Sequence, residues 1–109
     1  MVLLVCSMVK EVDASSFESE VSESKVVVDF WAPWCGPCKA MLPVLELLDA
    51  ESDGKFKIIK VNVDDNQELA VRYGVRSIPT FALFNDGKHV TTKVGSMSKE
   101  DMLKWIEES

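Results

Sequence analysis

Val26-Val27-Val28-Asp29-Phe30-Trp31 is an almost unbroken run of β-prone residues. A run without polar alternation predicts a central strand covered on both faces. Around it, turn signals cut the chain into short elements. Residues 9–12 read as a strand, with room to begin several residues earlier. Ser15-Ser16-Phe17-Glu18 resembles a capping box, and Phe17 and Val21 stand four apart on one face of a short helix. Pro33 ends the apolar strand, and a long helix is predicted from near Cys35, with Met41, Val44, Leu45 and Leu48 at helical spacing. Pro43 falls inside that helix and removes one backbone bond, and Ser52-Asp53-Gly54 stops it. Residues 57–63 form the next strand; Asp65-Asn66-Gln67-Glu68 caps a third helix carrying Leu69 and Tyr73, which Gly74 ends. Residues 80–84 are a strand, and Asp86-Gly87 makes a tight turn into an antiparallel partner over 89–94. Ser98 and Asp101 cap a last helix with Met102, Leu103 and Ile106 facing inward. The order of strands and helices predicts an α/β fold, a mixed sheet with helices on both faces.

With 109 residues, the whole chain, 1–109, reads as one domain. A chain of this size buries roughly two-thirds of its unfolded surface, enough for a core without disulfide staples. A 47% hydrophobic and 28% charged composition, with only five glycines and four prolines, excludes a disordered or collagen-like chain. The net charge of −6, with no basic cluster, argues against nucleic acid or an anionic membrane as partner. No apolar run approaches the roughly 18 residues of a membrane span. The opening Met1-Val2-Leu3-Leu4-Val5-Cys6 lacks a basic leader and a small-residue cleavage site. Residues 1–7 are therefore expected to extend the first strand, in a soluble, cytoplasmic protein.

Three cysteines are too few for a disulfide framework. Cys35 and Cys38, in Trp34-Cys35-Gly36-Pro37-Cys38-Lys39, stand where the buried strand gives way to the long helix. Side chains three apart on a helix lie about 5–6 Å apart at Cβ, so a small adjustment closes or opens a disulfide. The first cysteine meets the unpaired N–H groups of the helix start, which stabilise a negative sulfur. The second lies one turn in and is expected to be more buried. That asymmetry orders a reaction: Cys35 attacks a substrate disulfide and Cys38 resolves the mixed disulfide. Half of a zinc site is the competing reading. Cys6, Cys35, Cys38 and His89 are the only soft ligands, at a spacing unlike a zinc ribbon or finger. No metal and no cofactor is expected.

The stretch Val28-Asp29-Phe30-Trp31-Ala32-Pro33-Trp34-Cys35-Gly36-Pro37-Cys38-Lys39 resembles the active-site segment of the thioredoxin family. So do Lys60-Val61-Asn62-Val63-Asp64, Tyr73-Gly74-Val75-Arg76-Ser77-Ile78-Pro79-Thr80 and Lys93-Val94-Gly95. The likeness runs from about Val9 to the C-terminus; residues 1–7, and Cys6 among them, have no family counterpart. It implies the thioredoxin fold and a protein disulfide reductase acting on disulfide-containing proteins. It also implies a monomer, itself re-reduced by a thioredoxin reductase.

By that resemblance Asp29 lies behind Cys38 as a proton acceptor, its pKa raised by desolvation. The alternative is a carboxylate that reaches water at the sheet edge, since an unpaired buried charge is expensive. Lys60 resembles the family's lysine near that carboxylate, or else is a solvated strand lysine. Ile78-Pro79 implies a cis peptide facing the dithiol, where the Ile78 backbone pairs with an extended substrate. Trp34, Gly36, Pro37, Ile78, Pro79 and Gly95 would form a small apolar docking patch, and Trp31 packs against the active-site loop. His89 is expected to be solvated, not a base. Two other functions share these residues. A binding subunit would use the fold to dock one partner, with redox turnover incidental. An oxidase or isomerase would place a His between the cysteines, where this chain has Gly36-Pro37.

Overall fold

A computed structural model describes residues 9–109; Cys6, the expected extension over residues 1–7 and any earlier start of the first strand lie outside them. In chain order the elements are β1 (Lys10–Glu11), α1 (Ala14–Val21), β2 (Lys25–Trp31), α2 (Gly36–Glu51), β3 (Lys57–Asn62), α3 (Gln67–Arg72), β4 (Thr80–Asn85), β5 (Lys88–Val94) and α4 (Lys99–Glu108). The strands form one sheet in the order β1-β3-β2-β4-β5. The β1–β3 and β3–β2 pairs are parallel, and β2–β4 and β4–β5 are antiparallel. The apolar run is thus the central strand, as its lack of alternation predicts.

Successive β2 side chains point to opposite faces. Val26, Val28 and Phe30 join Phe17 and Val21 of α1 and Leu69 of α3 in one apolar cluster. Val27 faces Met41, Leu45 and Leu48 of α2 and Met102, Trp105 and Ile106 of α4. Asp29 and Trp31 share the side of Val27, and the Trp31 indole packs there against Cys35 and Cys38 at the start of α2. The Asp86-Gly87 turn has positive φ at both residues (53° and 84°), the mirror-image turn that suits a two-residue hairpin.

Two caps differ from expectation. The N-cap of α1 is Asp13, whose side chain accepts the Ser16 amide at 3.1 Å. Ser15 instead donates its hydroxyl to Asp13, so the expected capping box does not form. Asn66 occupies the N-cap position of α3 without a side-chain cap bond. Its amide group accepts from the Ala14 backbone N–H and donates to the Asn62 carbonyl, tying α1 to the β3–α3 loop. Ser98 caps α4 as expected, accepting the Asp101 amide at 3.1 Å, and Pro43 does lie inside α2.

Candidate active site

Strand β2 stops at Trp31, Ala32 is buried, and Pro33 turns the chain outward. The Cys35 amide donates to the Ala32 carbonyl at 3.1 Å, closing a turn that delivers Cys35 to the N-cap of α2 in extended conformation (φ −88°, ψ 111°). Pro37 falls in the first helical turn, where its missing N–H costs nothing. Cys35 and Cys38 are joined as a disulfide across a Cα separation of 5.2 Å. The two sulfurs differ. Cys35 retains 6% of its surface in solvent, whereas Cys38 has none. The Cys38 amide donates to Cys35 Sγ at 3.2 Å, so the helix start directs an N–H dipole at the outer sulfur.

A second loop faces the pair. The Ile78–Pro79 peptide is cis, as the resemblance implies. The Ile78 carbonyl oxygen lies 3.9 Å from Cys35 Sγ. Gly95, at φ +96°, donates its amide to the Pro79 carbonyl at 2.8 Å. The consecutive Ile78-Pro79 and the sequence-distant Gly95 therefore form one backbone edge beside Cys35. Gly36 and Pro37 are exposed on the first turn of α2. Trp34 is 68% exposed, and its indole N–H is anchored on Asp64 at 2.7 Å. Between Trp34 and Ile78 runs a groove of about 390 Å³, floored by Val63, Ala70 and Val75 and flanked by Arg76 and Ser77.

On the same side of β2 as Trp31, Asp29 has no solvent exposure, and neither carboxyl oxygen has a hydrogen-bond partner among the described residues. Burial pushes its pKa up to about 7; the positive charge of Lys60 opposes the shift and the negative charge of Glu11 adds to it. Asp29 and Lys60 are register partners on adjacent strands, and the Lys60 ammonium rests 4.9 Å from the centroid of the Trp31 ring. Trp31 packs with Ala32, Cys35 and Cys38. Asp29 is therefore not a carboxylate at an open edge, and Lys60 is only half-buried.

His89 stands apart from the dithiol, bonding Thr92 and stacking near Tyr73 and Phe84. Among the described residues no cluster of His, Cys, Asp and Glu is arranged to hold a metal ion. Sequence reasoning named Trp34 and Ile78 but did not find the Asp64 anchor, the groove residues Val63, Ala70, Val75, Arg76 and Ser77, or Glu11. Asp64 and Val63 sit in a motif quoted for the resemblance, but nothing local marks them as neighbours of Trp34.

A disulfide-forming Cys-x-x-Cys, one sulfur outward at a helix start and the other fully buried one turn in, defines a thiol–disulfide oxidoreductase. Comparison with known proteins narrows the class. The family profile described as thioredoxin matches residues 8–108. The chain is 52% identical over 100 residues to a thioredoxin of Bacillus subtilis, covering 92% of this chain and 95% of that one. It is 46% identical over 104 residues to a thioredoxin of Rickettsia felis, covering 94% and 99%. The solved structure of a mutant thioredoxin from Halobacterium salinarum superposes with a TM-score of 0.86 at 36% identity, covering 94% of this chain and 90% of that one. The chain belongs to the thioredoxin family and has its fold. Its Cys35–Cys38 pair makes it a protein disulfide reductase, cycling between dithiol and disulfide.

Proposed function

We propose that Cys35 is the nucleophile and Cys38 the resolving thiol of this reductase. The Cys35 thiolate attacks one sulfur of a substrate disulfide. The substrate S–S bond breaks, a Cys35–substrate mixed disulfide forms, and the displaced substrate sulfur takes up a proton. Cys38 then loses its proton to Asp29 and attacks Cys35 Sγ. The second substrate thiolate leaves, two electrons have passed to the substrate, and the protein holds the Cys35–Cys38 disulfide. What carries this order is the difference between the sulfurs: Cys35 alone has surface in solvent and accepts an N–H from the helix start.

Asp29 suits the proton step because a base titrating near the working pH both accepts and returns a proton. Lys60, on the neighbouring strand, modulates it. Trp34, Gly36, Pro37, Ile78, Pro79 and Gly95 form the docking surface, with the Ile78 backbone pairing to an extended substrate segment. Family membership supports a monomer in the cytoplasm, re-reduced by a thioredoxin reductase. None of the described helices is long and apolar enough to cross a membrane. The whole chain is read as one thioredoxin domain, residues 1–7 extending it.

The test is brief alkylation of the reduced protein with iodoacetamide near neutral pH, followed by mapping of the adduct. Cys35 is expected to outreact Cys38, and Cys38→Ser to accumulate stable mixed disulfides through Cys35. Preferential labelling of Cys38 would reverse the order of attack.

A further inference from the structure

Glu11, Lys60 and Asp29 stand in one row across three adjacent strands, because Lys60 is the register partner of both carboxylates. Register partners in a sheet project to the same face, here the face covered by α2. Glu11 is also tied into the site by a bond of its own: its Oε2 accepts the indole N–H of Trp31 at 3.2 Å. The face of that indole in turn carries the Lys60 ammonium at 4.9 Å, a cation–π contact.

We propose that Glu11 is a positioning residue for the dithiol chemistry, its negative charge, fixed in place by the Trp31 indole N–H, opposing the Lys60 ammonium in the field that Asp29 feels. The inference rests on the reading of Asp29 as proton acceptor. It adds a residue that touches neither sulfur and that no local pattern marks. In the row itself the titratable neighbours of Asp29 are Glu11 of β1 and Lys60 of β3. Cys38 of α2 is the group that the proposed proton step sets against it. Lys25 lies further back on the same face of β2, tied to the Ile106 carbonyl of α4. On the other side β4 offers the apolar Phe81, with Lys93 of β5 one strand further out.

The electrostatic consequence has one sign. A negative charge in this row repels the charged form of Asp29 and offsets part of the ammonium's opposite effect, which favours the protonated acid. Glu11→Gln keeps an oxygen for the indole N–H and removes only the charge. Because Glu11 is exposed, water and salt weaken its influence, and the pKa of Asp29 is expected to fall by roughly 0.2–0.6 pH unit.

The experiment follows the Asp29 carboxyl carbon by NMR through a pH titration of the oxidised full-length protein, in which neither active-site cysteine titrates. Parent, Glu11→Gln and Glu11→Asp are compared. The expected result is a midpoint near 7 in the parent, a lower one in Glu11→Gln, and a return toward the parent in Glu11→Asp, which restores the charge. The pH profile of mixed-disulfide resolution should move with it. An unmoved midpoint in Glu11→Gln, or an equal fall in both variants, would overturn the role of Glu11 and leave Asp29 as acceptor. A parent midpoint in the ordinary carboxylate range would instead overturn the acceptor itself, and this inference with it.

Discussion

The two faces of β2 are built from the same seven residues and to different ends. On the side of α1 and α3, Val26, Val28 and Phe30 meet Phe17, Ile59, Val61 and Phe84 with no charged group in the cluster. Tyr73 adds an aromatic frame around Phe17, with ring centroids 5.6 Å apart. On the side of α2 and α4 the alternation reads Val27, Asp29, Trp31. Its first member packs in an apolar cluster, its last packs against Cys35 and Cys38, and Asp29 between them is the proposed proton acceptor. One face maximises burial. The other gives up an apolar position for a carboxyl group that contributes no hydrogen bond among the described residues. A fold keeps such a residue where stability is not the only quantity it needs.

Breaking the apolar face has the largest expected effect. Phe17 has no solvent exposure and touches both Tyr73 and Phe84. Phe17→Ala should cost about 3–5 kcal/mol in urea unfolding. The reduction rate per folded molecule should be unchanged, because nothing at the dithiol rests on that ring.

Relieving the other face works in the opposite direction. In the folded protein Asp29 titrates near 7 rather than at the ordinary 3.8. Between those values the unfolded chain has released a proton that the folded one still holds, so stability falls as pH rises through the interval. Asp29→Asn should therefore be more stable than the parent above neutral pH, by roughly 2–4 kcal/mol. The upper end follows from ~1.4 kcal/mol for each pH unit separating the folded and unfolded pKa. The gain should shrink as pH falls and vanish below 3.8, where the acid is neutral in both states. Urea melts of both proteins at acidic and alkaline pH measure it.

The smallest effect separates stability from rate on the active face. Ser98→Ala removes the cap of α4, which packs on the same side as α2, and should cost about 1 kcal/mol at every pH. Its reduction rate should match the parent's. A slower Ser98→Ala would mean that destabilising this face is enough to slow the chemistry.

Much of this is readable in the sequence because the signals are local. The unbroken apolar run places β2 at the centre, Asp86-Gly87 dictates the hairpin, and the charge in the midst of the run singles out Asp29. The dithiol's surroundings follow from its position between a buried strand and a helix start. What stays hidden depends on partners distant in sequence. Asn66 looks like a helix cap, yet it spends its amide group on Ala14 and Asn62, because the first residue of α1 lies against the start of α3. Asp13 and Ser15 are equally good caps by type. Asp13 takes the role because its carboxylate accepts from the Ser16 amide and from the Ser15 hydroxyl together. Glu11 gains its place only when a parallel β1–β3 pairing sets it beside Lys60. Trp34 reads from sequence only as part of a docking patch, and its bond to Asp64 needs the β3–α3 loop folded against it.

Whether the buried carboxyl group moves the proton of Cys38 is the question on which the chemistry turns. The direct measurement is the rate of mixed-disulfide resolution as a function of pH, in the parent and in Asp29→Asn, starting from a Cys35 mixed disulfide with a small thiol. The parent rate should rise through an apparent pKa near 7, as Asp29 becomes able to accept the proton. Asp29→Asn should be slower, by the roughly 10²–10⁴-fold typical of losing a general base, and should lack that step. Equal rates and one shared profile would contradict the account, leaving Asp29 a buried structural carboxyl group and the dithiol without need of a base.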